Sequence, residues 1–279
     1  MWDTKCDPIS KGPQLNNQIL MFHRIFHRPH FLASIFATAL LATAVSASAG
    51  QRKFAYSYEV LTAPAGSVEF ENWVTWKHRG GDGRVDQFDF RHEFEFGVTE
   101  RLQFGLYVAD WSLTETRDQS RARYQHSGVE VIYNLSNPTT DFVGSALYGE
   151  VLVGDRSVEL EGKLLLQKNF GPVTLAYNAI IEAEWEGASL QHLDERRGEF
   201  AQTLGVSYQL TPHFLVGAEL LHEVDLPEWR AAGKSIVFAG PNVSVRAGRC
   251  YATVAGLFRV TNQDDEPDVQ TRLIFGVDF

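Results

Sequence analysis

The sequence predicts an all-β chain: a transmembrane, antiparallel up-and-down β-barrel of about 12 strands with both termini on the periplasmic side. Three observations predict it. Segments of about ten residues alternate apolar and polar side chains with period two, as strands with one greasy face do. No stretch after Ala49 is apolar enough to cross a membrane as a helix, yet the alternation recurs as far as Phe279. The connections between segments alternate between tight turns and longer polar loops, as the two ends of a bacterial barrel require.

Residues 1–49 read as a leader rather than as fold. Arg24 and Arg28 precede the apolar run FLASIFATALLATAV, and Ala47-Ser48-Ala49 offers small residues for cleavage. The leader is expected to start at Met21 and to be cut after Ala49. That leaves residues 50–66 as a periplasmic N-terminal segment and residues 67–279 as the barrel. Without the four basic and two acidic residues of the leader, 25 Lys+Arg and 35 Asp+Glu become 21 and 33, so the exported part is formally −12. Such acidity argues against nucleic acid as a partner and permits cations. Cys6 leaves with the leader, so Cys250 has no partner for a disulfide and no cysteine-based metal site can form.

The strands follow in order. SVEFENWVTWKH opens the series, and RVDQFDFRHEFEFG is its clearest member. Phe88, Phe90, Phe94 and Phe96 share one parity with His92, whereas Gln87, Asp89, Arg91, Glu93 and Glu95 share the other. A helix would scatter those phenylalanines around its axis; a strand puts all four on one face. RLQFGLYVADWSL follows after a short turn, then the polar stretch TETRDQSRAR is expected as a long loop. YQHSGVEVIYNL, FVGSALYGEVLVG and SVELEGKLLLQKNF come next, and Gly171-Pro172 turns the chain into PVTLAYNAIIEAEW. GEFAQTLGVSYQL, HFLVGAELLHEVD, KSIVFAGPNVSVRA, RCYATVAGLFRV and VQTRLIFGVDF complete the set. Trp73, Trp76, Trp111, Trp185, Tyr133, Tyr208, Phe170 and Phe214 lie near strand ends, where aromatic girdles mark the membrane interfaces.

Assigning the apolar parity to lipid sends Glu69, Glu71, Asp89, Arg91, Glu93, Glu95, Glu182 and Glu184 inward as lumen-lining residues. Their role is field and hydrogen bonding, since rings of acidic side chains favour cations. Carboxylates two apart, such as Glu93 and Glu95, are oxygen-rich enough for Ca²⁺. They also arise wherever every second residue faces water, so no metal and no cofactor is assigned. Of the candidate histidines, His92, His126, His192, His213 and His222, His92 and His222 fall on the outward parity away from carboxylates, a histidine at an interface or in a loop is the ordinary case, and no G-x-S-x-G occurs, so no catalytic residue and no enzyme is expected.

Two resemblances add to this. Leu273, Phe275, Val277 and Phe279 look like the signal by which the barrel-assembly machinery recognises outer-membrane proteins, which implies that machinery as a partner. FAYSYEVLTAPAGSVEFENWVTWKH, followed by FDFRHEFEFGVTERLQFGLYV, resembles the barrels, uncharacterised or assigned as transporters, that are grouped near the phenol meta-pathway outer-membrane family. The likeness covers residues 54–110 and implies the outer membrane of a Gram-negative bacterium, with lipid and lipopolysaccharide as surroundings. The expected function is passage of small cationic or neutral solutes through an acidic lumen, the solute itself being unidentified. A barrel plugged by its own salt bridges, structural or binding in role, is the alternative, and an outer-membrane hydrolase the third.

Overall fold

The computed structural model describes residues 51–81, 83–229, 232–263 and 266–279; the expected leader lies outside them. Among the described residues twelve strands form: β1 (Val68–Arg79), β2 (Val85–Thr99), β3 (Leu102–Thr116), β4 (Ser120–Ser136), β5 (Gly144–Gly154), β6 (Ser157–Phe170), β7 (Val173–Glu186), β8 (Glu195–Thr211), β9 (Phe214–Pro227), β10 (Ser235–Ala247), β11 (Cys250–Arg259) and β12 (Val269–Asp278). Each pairs with its neighbour in sequence, and β12 pairs antiparallel with β1 to close the barrel. The fold is therefore the closed, all-antiparallel barrel that the alternation predicted.

Cross-strand packing shows why the pattern settles in this register. Phe94 of β2 lies opposite Phe70 of β1, and Phe96 opposite Phe104 of β3. Their rings meet at 4.6 Å and 6.3 Å, forming an outward aromatic ladder. Such pairs contribute roughly 0.2–1 kcal/mol each, and a slip by one residue would turn them inward. The closing strand obeys the same rule: Val277, Phe275 and Leu273 face Phe70, Asn72 and Val74 across the seam, all on the outward parity. Leu147, Leu164, Leu204 and Val206 are likewise well exposed on the outer wall.

Two local expectations are corrected. The stretch expected as a long loop around 116–123 is mostly strand, because β3 runs to Thr116 and β4 starts at Ser120. Above the apolar belt both faces of a strand can be polar, so composition there no longer separates strand from loop. Trp73 is not a girdle residue; it is inward-facing and buried at 6% exposure. The register of β3 shifts between Tyr107 and Asp110. That bulge keeps both side chains inside and turns Trp111 outward onto Phe90, where the rings stack at 3.9 Å.

The connections at one end of the barrel include the longer ones, 80–84, 187–194, 228–234 and 260–268, with 117–119 and 155–156 short. At the other end 100–101, 171–172, 212–213 and 248–249 are tight, and 137–143 is the long one.

Candidate functional site

The interior of the barrel is filled by the chain itself. Residues 51–60, part of the segment expected as periplasmic, enter the lumen, where Phe54, Ala55, Tyr56, Tyr58 and Val60 are buried at 6% exposure or less. Their backbone is irregular, so its polar groups have no ladder to join and must find partners elsewhere. The wall supplies them from its side chains. Glu219 of β9 accepts the amides of Ala55, Tyr56 and Ser57 at 2.7, 2.8 and 2.7 Å. Asn178 of β7 accepts the Tyr58 amide and donates back to the Tyr58 carbonyl, at 2.7 and 3.1 Å. Gln167 accepts from the Val60 amide, Asn134 donates to its carbonyl, and Gln103 accepts from Ala63. Ser244 and Thr253 donate to the Arg52 carbonyl, Asn242 to that of Lys53.

The side chains of the segment are seated with equal care. Gly205 of β8 makes room for Phe54: a Cβ there would stand 2.6 Å from two carbons of its ring. The Arg52 guanidinium donates to Glu71 at 2.6 Å and to Glu95 at 2.7 Å, and lies 4.8 Å from the ring centres of both Tyr58 and Trp73. Lys163 sits 3.9 Å above Tyr58 and Tyr148, and Arg272 sits 4.2 Å above Tyr56. Desolvated cation–π contacts of this kind add about 2 kcal/mol each.

Cavities lie on both sides of the segment. Toward the longer loops one of about 420 Å³ is lined by Asp89, Arg91, Glu150, Glu159, Glu161, Lys163, Glu182, Glu199, Glu223 and Arg272, with Tyr56 and Tyr58 as its floor. Toward the tight turns one of about 410 Å³ is lined by Arg52, Lys53, Glu59, Glu69, Glu71, Glu95 and Gln103. The eight residues expected in the lumen are thus divided. Asp89, Arg91 and Glu182 border the first cavity, Glu184 borders the mouth beyond it, and Glu69, Glu71 and Glu95 border the second. Glu93 is wholly buried.

Arg91 ties the upper wall together, donating to Asp110 at 2.9 Å and lying 3.4 Å from Glu150. Asp89 pairs with Lys77 at 3.0 Å. His92 bonds Asn72 and Trp111, and His222 bonds Gln202 and Ser235, all on the outward face and none a carboxylate. Sequence reasoning missed Glu219, Asn178 and Gln167 as functional residues. Their inward parity was readable, but nothing in a strand's own sequence says which distant backbone it will hold.

The model of a family of unknown function, DUF6662, matches residues 46–272. Among curated proteins none matches the chain. Among solved structures it is similar to the NanC porin, at TM-score 0.48 and 9% identity over 76% of this chain and 98% of that one. It is also similar to the translocator domain of the autotransporter NalP from Neisseria meningitidis, at 0.48 and 11% over 94% and 98%. OmpF of Salmonella typhi in complex with daunomycin follows at 0.32 and 8% over 78% and 98%. None of these likenesses bears on activity.

Proposed function

We propose that this chain, which belongs to the family of unknown function DUF6662, is an outer-membrane channel for small cationic or neutral solutes, held shut by residues 51–60. One observation carries the reading. The segment is bound to the wall by side chains and takes no part in the strand ladder, so it can leave the lumen without breaking a single inter-strand bond. A solute arriving from the longer loops would meet a vestibule rich in carboxylates, which concentrates cations and repels anions. Catalysis has no part in this proposal.

Membrane insertion itself is tested at Leu204, half-exposed on the outer wall of β8. Leu204→Arg is expected to cost roughly 2–4 kcal/mol in a bilayer, read as a lowered urea midpoint for the barrel in lipid vesicles. An unchanged midpoint would mean that this wall does not face lipid.

Gating is tested by planar-bilayer recording of the purified protein beside a variant lacking residues 51–60, both checked for the folded band on an unheated gel. The full chain should be mostly silent and the deletion should conduct in steps. In a salt gradient its reversal potential should report cation preference, reduced when Glu182 and Glu199 both become Gln. Silence of a folded deletion variant would replace this reading with the permanently plugged, structural barrel.

A further inference from the structure

The strand register sets Glu71 of β1 directly opposite Glu93 of β2, and Glu69 opposite Glu95, all on the inner face. Like charges directly opposed destabilise a sheet. Water-facing alternation would excuse them in an open lumen, but Glu71 and Glu93 have 0% exposure, with Glu95 at 6% and Glu69 at 5%. One oxygen from each of Glu71, Glu93 and Glu95 lies within 4.8 Å of the others.

Partners already present account for only part of this group. Glu71 accepts from Arg52, from the Tyr251 hydroxyl and from the Trp73 indole at 2.7 Å, and Glu95 accepts from Arg52. Both oxygens of Glu93 are buried without a hydrogen-bond partner, and so is one oxygen of neighbouring Glu130. The two carboxylates meet over Gly105, where a Cβ would stand 2.7 Å from Glu93 Oε1 and 2.3 Å from Glu130 Cγ. A native barrel does not bury a carboxylate bare: it is protonated, paired with a cation, or bound to a metal.

We propose that Glu71, Glu93 and Glu95 form a binding site for a hard divalent cation of the Ca²⁺ class, set beside Arg52 where the N-terminal segment meets the wall. The donors are all carboxylate oxygens, the ligands such ions take. Metal–oxygen distances of about 2.3–2.6 Å make a 4.8 Å span the reach of two ligands across one ion. Three carboxylates against one guanidinium leave two negative charges before Glu69 and Glu130 beside them are counted, so a divalent ion would lower the local charge without reversing it. The site does not depend on whether the barrel conducts: it would bind in a channel and in a permanently plugged barrel alike.

Trp73, bonded to Glu71, supplies the readout, since an indole this close sensitises Tb³⁺ luminescence. The full barrel, purified in detergent and stripped with a chelator, is titrated with Tb³⁺ under tryptophan excitation. Saturable emission should appear and be displaced by Ca²⁺. Glu93→Gln, which removes one of three charged ligands and keeps the shape, should weaken it by about tenfold or more, whereas Glu115→Gln at an exposed strand end should leave it unchanged. Millimolar Ca²⁺ should also raise the temperature at which the folded band is lost in the wild type and not in Glu93→Gln. No sensitised emission from a folded barrel, or equal emission from wild type and Glu93→Gln, would overturn the site and leave Glu93 as a buried protonated acid.

Discussion

Glu219→Ala should turn a quiet barrel into a conducting one. A single carboxylate accepts three consecutive amides of the segment, and Asn242 of the adjoining β10 donates to it at 3.1 Å. Hydrogen bonds to a charged group contribute about 1.5–3 kcal/mol each. The three are not independent, so a fair expectation is roughly 3 kcal/mol, which shifts the ratio of released to seated segment by more than about a hundredfold. No ladder bond is lost, so the folded band on an unheated gel should be unchanged. Trypsin should then cut at Arg52 or Lys53 in the folded barrel, and bilayer conductance should approach that of the deletion variant. Glu219→Gln should fall between, since an amide keeps one acceptor and turns an NH₂ group toward donors. A wild-type cleavage rate in Glu219→Ala would mean that the segment is held elsewhere, with Asn178 and Gln167 the next to test.

Whether residues 51–66 enter the lumen could not be decided from their own sequence, and the reason is physical. Phe88, Phe90, Phe94 and Phe96 announce a strand because a sheet repeats every two residues and a run of them repeats the announcement. Phe54, Tyr56 and Tyr58 share a parity as well, but too briefly to be told from a short edge, and their conformation is set by side chains of strands far along the chain. Wall residues show the same division. Parity placed Glu71 and Glu93 inward, as they are, but could not distinguish a carboxylate bathed in water from one sealed against Arg52 and Trp73. The bulge in β3 is a third case, for the shift at Tyr107 and Asp110 changes which residues face in without disturbing hydropathy enough to reveal itself.

The second large effect is expected from a residue that contributes no hydrogen-bonding side chain. Gly205 lies across the ladder from Glu219, so the seat of Phe54 and the grip on residues 55–57 are neighbours on the wall. Gly205→Val places a Cβ within 2.6 Å of the Phe54 ring, which must move. The strand itself has no reason to object, because valine suits a β-strand better than glycine does. Phe54 is 1% exposed, and the burial it forfeits is bounded by the roughly 3–5 kcal/mol seen when a core phenylalanine is truncated. Conductance should therefore rise as in Glu219→Ala, by a steric route instead of a polar one, while the barrel stays as stable or gains. The pair then makes a stricter test than either alone. If both act by releasing one segment, the double variant should conduct no more than the variant lacking residues 51–60, and Gly205→Val should change nothing once those residues are deleted. Conductance above that of the deletion variant, or an effect that persists in it, would locate the barrier in the wall rather than in the segment.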